Sequence, residues 1–152
     1  MAMMPDMCLR AASRDDLPRI IHFLRENKLT EVGVDEYVEN FIIIEGKDNR
    51  LTGIAGLETY GKCGLIRSVA VSRRARRKGI GKLLVETIIQ NARAKNVQAV
   101  YLLTVNAEGY FNRFGFQTVN RQDVDLSVKM SQEFANACPK SASVMRKIIA
   151  QT

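Results

Sequence analysis

The 152-residue sequence has no tryptophan, one histidine, three cysteines and three prolines. One histidine, His22, and cysteines 8, 63 and 138 at no metal-binding spacing leave no zinc set of the usual kinds. Three thiols cannot form an even disulfide framework, so a reduced, cytoplasmic compartment is expected. No apolar run approaches the ~20 residues that a membrane span needs. The longest candidate, Phe41–Ile44, is strand-sized. The N-terminal "MAMMPDMC" has neither a basic region nor a long apolar stretch, so a signal peptide is not expected. Neither a metal nor a membrane is therefore an expected partner.

Hydrophobic residues make up 46% of the chain and charged residues 26%, which fits one soluble domain spanning 1–152. Residues 7–12 predict a strand. Ser13 is a good helix N-cap, followed by Asp15 and Asp16 and then by Leu17, Ile20, Ile21 and Leu24 at helical spacing, to about Glu26. A short helix is predicted over 35–40. Two strands, Phe41–Glu45 and about Leu51–Tyr60, flank the turn cluster "KDN". A third strand, Leu65–Val71, follows "GKCG", and the three read as an antiparallel meander. From Ile80 the period becomes helical, through Leu83, Leu84, Ile88 and Ala92. Ala99–Thr104 is a buried strand, 107–114 a short helix closed by Gly115, and "FGFQTV" a turn into a strand. A helical stretch over 123–137, a break at Cys138-Pro139 and a last strand, Val144–Ile149, complete the pattern. The fold class is α/β, a mixed and mostly antiparallel sheet flanked by helices.

The net charge is +7, and without Arg73, Arg74, Arg76, Arg77 and Lys78 it falls to +2. Positive charge is thus concentrated in one turn, between the strand and the Ile80 helix. The first N–H groups of a helix have no internal acceptors, and its dipole favours an anion there. Gly79 and Gly81 let an anion approach the backbone, while Arg76, Arg77 and Lys78 supply charge around it. The features suit a phosphate or diphosphate. A phosphate-binding loop of the nucleotide-triphosphatase type would need glycine at 76 and Ser or Thr at 83, where Arg76 and Leu83 stand. A dinucleotide fingerprint from Gly79 would need a small residue at Leu84. A nucleic-acid groove stays open as an alternative, although residues 65–95 contain no aromatic to stack on a base.

Arg76-Arg77-Lys78-Gly79-Ile80-Gly81 resembles the Gln/Arg-x-x-Gly-x-Gly/Ala motif of the GNAT (GCN5-related) N-acetyltransferases. "VAV" at Val69–Val71 resembles their central strand, and "AEGYFNRFGF" at Ala107–Phe116 their late helix with its Gly-Phe ending. "GLETYG", "LIRSVAV", "YLLT" and "ACPKSASVMRK" are similar to the acetyltransferases associated with arsenic-resistance operons. The resemblance implies direct transfer of an acetyl group from acetyl-CoA to the amine of a small molecule, an amino acid or a toxic analogue, with no metal and no nucleic acid. It implies that Arg77, Lys78, Gly79, Gly81 and Lys82 hold the diphosphate of the coenzyme. The pantetheine arm would pair with the strand at Val69, Ala70 and Val71, and Arg74 or Arg76 would reach the 3′-phosphate.

For the chemistry, the family places a tyrosine four residues before the last glycine; here that position is Phe111, with Tyr110 one residue earlier. Either Tyr110 serves as the acid through a shifted helix, or another group or water does. That departure keeps a catalytically silent CoA sensor open. Thr104 stands where an asparagine is usual and offers a hydroxyl; Asn106 is a weaker candidate. Glu58, late in its strand, is the candidate base. Without that role it is an edge glutamate paired with Arg67 or Lys62. Arg67 is the candidate substrate-binding residue, its planar fork suited to a carboxylate. His22 is expected on a helix surface and Cys138 as a structural thiol. Glu133 and Phe134 are placed near the acceptor, and the apolar late strands leave a homodimer open.

Overall fold

A computed structural model of the chain describes residues 7–132, 134–135 and 141–150. Among them seven strands form one sheet: β1 (Cys8–Ala11), β2 (Ile42–Glu45), β3 (Leu51–Tyr60), β4 (Cys63–Val71), β5 (Ala99–Thr104), β6 (Gln117–Val119) and β7 (Ser143–Ile148). Their order is β1-β2-β3-β4-β5-β7-β6. β1–β2, β2–β3, β5–β7 and β6–β7 are antiparallel, and β4–β5 is parallel. The helices are α1 (Leu17–Glu26), α2 (Val34–Tyr37), α3 (Ile80–Ala94), α4 (Glu108–Asn112) and α5 (Leu126–Lys129). The mixed, mostly antiparallel sheet with flanking helices agrees with the expectation from sequence.

The chain divides into two compact units. One comprises the described residues up to Leu57 with Ser68–Ile88; the other comprises Glu58–Arg67 with the described residues from Ile89 onward. Each has an apolar core of its own.

In the first unit, Ile20, Phe23 and Leu24 of α1 pack with Val34, Val38, Phe41, Ile43, Ile54 and Ala70. The i, i+3, i+4 spacing on α1 puts the three on one face, the pattern from which the helix is read. Ser13 precedes it, and its N–H donates to Asp16 Oδ2 at 2.8 Å, so the carboxylate closes the entry turn. Phe41 lies over Gly56, where a Cβ would run into the ring, so only glycine admits that packing. Gly53 does the same for α3: a Cβ there would lie 2.9 Å from Leu84 Cδ1 and 3.1 Å from Ile80 Cγ2. The first turns of α3 are thereby seated directly on β3.

In the second unit, Leu65, Tyr101, Val124, Val128 and Val144 form the core, with Tyr60, Leu103, Val119 and Phe134 against it. The helix expected over 123–137 is not continuous. Val124 and Asp125 are extended, with ψ of 140° and 137°, and α5 starts only at Leu126. Asp125 is a cap rather than an interior residue: its Oδ1 accepts from Ser127 N–H at 2.9 Å. The break at Cys138-Pro139, and Glu133, lie outside the described residues.

Candidate active site

The basic turn ends on a helix whose first amides have no partner along the helix. The first hydrogen bond into α3 runs from Leu83 N–H to the Gly79 carbonyl, at 3.1 Å. The N–H groups of Ile80, Gly81 and Lys82 therefore precede the ladder. Arg77 and Gly79 both lie in the left-handed region, with φ of +68° and +78°. A non-glycine residue at that φ is uncommon, and here it folds the backbone into a concave turn ahead of the helix. The side chains of Arg74, Arg77, Lys78 and Lys82 are exposed, as ligands for a solvated anion must be. Arg76 is also exposed, but its Nε donates to the Val71 carbonyl at 3.2 Å, which ties the turn to the end of β4.

β4 reaches this turn through an interruption that the sequence does not advertise. Ser68 has a φ of +60° and is buried in mid-strand. The residues after it alternate: Ala70 is buried in the apolar core, while Val69 and Val71 are half-buried. The parallel ladder to β5 pairs Cys63–Leu65 with Ala99–Tyr101.

Glu58 and Arg67 stand in the second unit and face each other across β3 and β4. Arg67 Nη1 donates to Glu58 Oε2 at 2.7 Å. The Tyr60 hydroxyl donates to the other oxygen, Oε1. Glu58 is 1% exposed and Arg67 3%. The glutamate is not at an open edge: of the two partners considered, it takes Arg67, and it does so buried. Sequence reasoning missed Tyr60, although its spacing of two from Glu58 on a strand places both side chains on one face of the sheet. A glutamate between a guanidinium and a phenol is held in one orientation.

Thr104 ends β5, and its Oγ1 accepts from Ala107 N–H at 3.0 Å, fixing the approach to α4. Tyr110 on α4 is half-buried and meets the rings of Phe111 and Phe114 edge-on, at centroid distances of 5.2 and 5.3 Å. Burial pushes its phenol above the ordinary tyrosine range. Phe111 is buried and meets the ring of Phe116 edge-on. Gly115 closes the segment with φ +90°, the conformation expected of it from sequence. Of the outlying candidates, His22 is exposed and lies 3.3 Å from Glu26 on α1, and Phe134 carries Arg121 over its ring. No cluster of three His, Cys, Asp or Glu suited to a metal occurs among the described residues. No helix among them is long and apolar enough to cross a membrane.

A strand carrying a left-handed residue thus runs into a basic, glycine-bearing turn at a helix N-terminus. Residues 10–116 match the Acetyltransferase (GNAT) family, and the chain belongs to it. Over 127 residues, 76% of its length, the chain is 34% identical to an amino-acid acetyltransferase of Neisseria meningitidis. It spans only 28% of that relative. With an uncharacterized N-acetyltransferase of Chlorobaculum tepidum it shares 33% identity over 106 residues, covering 69% of this chain and 65% of that protein. The N-acetylglutamate synthase of Neisseria gonorrhoeae, complexed with coenzyme A and L-arginine, superposes with a TM-score of 0.79 at 25% identity. That match covers 99% of this chain and 35% of the synthase. Rv2747 of Mycobacterium tuberculosis, in complex with CoA, gives 0.73 at 25% identity, over 93% of this chain and 99% of that one.

Proposed function

We propose that this protein transfers the acetyl group of acetyl-CoA to the amino group of a small acceptor, an amino acid or a close analogue. The observation that carries the reading is the start of α3. Three amides that precede the helical ladder, two left-handed residues before them and a ring of exposed cations make a site for a diphosphate. The donor set fits coenzyme A. Arg77, Lys78, Gly79, Gly81 and Lys82 hold the diphosphate, and Val69, Ala70 and Val71 present strand backbone to the pantetheine amides. Arg76, steadied on Val71, and Arg74 stand ready for the 3′-phosphate. When bound, acetyl-CoA supplies an acetyl group activated as a thioester.

The proton steps fall to the second unit. Only a neutral amine attacks, so the acceptor must lose a proton. Glu58 is the proposed base. Arg67 on one oxygen holds it in place, and Tyr60 on the other is the route by which a proton passes to it. The departing thiolate takes a proton from Tyr110, which burial keeps protonated through the neutral range. Thr104 offers a hydroxyl beside that step. Arg67, the candidate ligand for a carboxylate of the substrate, also orients Glu58. The amino-acid acetyltransferase of Neisseria meningitidis supports an α-amino acid as acceptor. The likeness of "GLETYG" and "LIRSVAV" to arsenic-operon acetyltransferases points to a toxic amino-acid analogue as the finer choice.

Calorimetry with acetyl-CoA, on the wild type and on Gly79→Trp, tests the donor site. Binding to the first and not the second is expected. Free-thiol release across a panel of amino acids and analogues tests transfer. Absence of CoA binding, or equal binding by both proteins, overturns the reading; CoA binding with no thiol release leaves a sensor in its place.

A further inference from the structure

α4 spans only five residues, too few for its own hydrogen bonds to fix how it sits. Its setting matters to Tyr110. A rotation by one residue, about 100°, would exchange that half-buried ring with its buried neighbour Phe111. The direction of the Tyr110 hydroxyl therefore depends on what holds the two ends of the segment.

Both ends are held by side chains from neighbouring strands of the same unit. At the start, Thr104 Oγ1 accepts from the Ala107 N–H at 3.0 Å. At the end, Lys147 Nζ donates to the Phe114 carbonyl. Thr104 stands opposite Ser143 in the β5–β7 ladder, and Lys147 is four residues beyond Ser143 on β7. Side chains repeat every second residue along a strand, and opposed residues share a face, so both tethers leave the same face of the sheet. Leu102 and Met145, opposite each other between the tethers, are buried on that face.

Gly115 is fitted to the second tether. A Cβ there would stand 3.1 Å from Lys147 Nζ and 3.6 Å from its Cε, so the missing side chain leaves room for the ammonium beside the carbonyl it meets. The Phe111 and Asn112 carbonyls accept from backbone N–H groups of the turn, those of Phe114, Phe116 and Gly115. The Phe114 carbonyl accepts from the lysine, a charged donor at the end of a helical segment. The tether bears on Tyr110 through the same residue, since the ring of Phe114 meets that of Tyr110 edge-on at 5.3 Å.

We propose that Lys147 is a positioning residue for the proton step: by holding the Phe114 carbonyl it sets the rotation of α4, and with it the direction of the Tyr110 hydroxyl. The catalytic consequence rests on the acetyl-transfer reading above; the positioning does not.

The chain has four tyrosines, so labelling the full chain with 3-fluorotyrosine gives a simple fluorine spectrum in which Tyr110→Phe assigns the Tyr110 resonance. Lys147→Met keeps the aliphatic stem and removes the donor; Lys147→Gln replaces it should that variant fail to fold. The Tyr110 resonance is expected to move or broaden in the variant, while that of Tyr37, in the first unit, stays. An unmoved Tyr110 resonance overturns the proposal. Kinetics then use acetyl-CoA and the amino acid of the panel above that the wild type acetylates fastest. Misplacing the proton donor is expected to lower kcat by roughly ten- to a hundredfold, with KM for acetyl-CoA within about twofold. In the Tyr110→Phe background the same substitution is expected to change kcat by less than about twofold, because the group it positions is gone. A purely structural lysine would lower kcat in both backgrounds; that result, or a single variant with the kcat of the wild type, overturns the proposal. A wild type that releases no thiol with any acceptor refutes the acetyl-transfer reading instead, and the fluorine spectrum still decides whether Lys147 sets Tyr110.

Discussion

Arg67 Nη1 donates to Glu58 Oε2 at 2.7 Å, and the two side chains are 0% and 2% exposed. An ion pair so placed gains little over a well-packed apolar pair, yet loses much when one partner goes. Arg67→Ala strands a buried carboxylate, and Glu58→Ala strands a buried guanidinium. Each is expected to cost about 3–5 kcal/mol, read from urea denaturation. The double variant Glu58→Leu with Arg67→Met recovers most of that loss. Single variants within about 1 kcal/mol of the wild type would show that water reaches the pair. Acetyl-CoA affinity is expected to be unaffected in Glu58→Gln, because the diphosphate is assigned to residues 77–82 and not to this pair.

Gly53 seats the functional turn. A Cβ there would stand 2.9 Å from Leu84 and 3.1 Å from Ile80. The neighbours are side chains of the helix whose first amides carry the proposed diphosphate site. Gly53→Ala is expected to cost about 1–3 kcal/mol by overpacking and to lift the start of α3 from β3. Acetyl-CoA binding then weakens several-fold although no ligand residue has changed. Gly53→Ala with Leu84→Val, which makes room, recovers both; calorimetry and a melting curve on the two variants decide it.

Much of this arrangement is legible in the sequence because the determinants are local. Ile80 and the residues at its helical spacing, Gly79 before them and Ala99–Thr104 after them fix their elements through periodicity and turn chemistry alone. Gly115 is equally legible, since its φ of +90° is a demand that few other residues meet. What stays hidden depends on contacts remote in sequence. The left-handed Ser68 in mid-strand has no compositional mark. Glu58 and Arg67 are nine residues apart, and their joint burial follows from the pairing of β3 with β4. The break at Val124 and Asp125 turns on a local choice instead: Asp125 caps the helix that starts after it rather than lying inside one.

Acid stability should follow the carboxylates of the first unit. Arg10 donates through Nη1 and Nη2 to Asp16 and through Nε to Glu45, while Arg19 Nη2 reaches both. The hydrogen bonds from Arg10 hold Asp16 well below the ordinary carboxylate range and hold Glu45 lower as well. Their folded forms are thus harder to protonate than the unfolded chain. The stabilisation is complete above the unfolded values, about 3.9 and 4.3, and is lost as pH falls through the lower folded values. Melting temperature is expected to be flat on account of these groups above about pH 5 and to fall steadily beneath about pH 4. Asp16→Asn removes part of that slope and costs about 2–3 kcal/mol at pH 7. An unchanged acid slope in the variant would show that the cluster is not what acid dismantles.

Tyr110 presents the sharpest test of the chemistry, because its ring and its hydroxyl answer separate questions. The ring packs edge-on against Phe111 and Phe114, and Tyr110→Phe keeps those contacts. Melting temperature should therefore shift little, by an amount equivalent to about 0.5 kcal/mol or less. The hydroxyl is what the variant removes. If it delivers the proton to the departing thiolate, kcat falls by roughly 10²–10⁴-fold while CoA affinity holds. Burial raises the phenol, so in the wild type it stays protonated above neutral pH, and its loss of activity on the alkaline side comes later than for an exposed tyrosine. The pH profile of the variant should lack that alkaline fall. A kcat within about twofold of the wild type would assign Tyr110 to packing alone and leave the proton to Thr104 or to solvent.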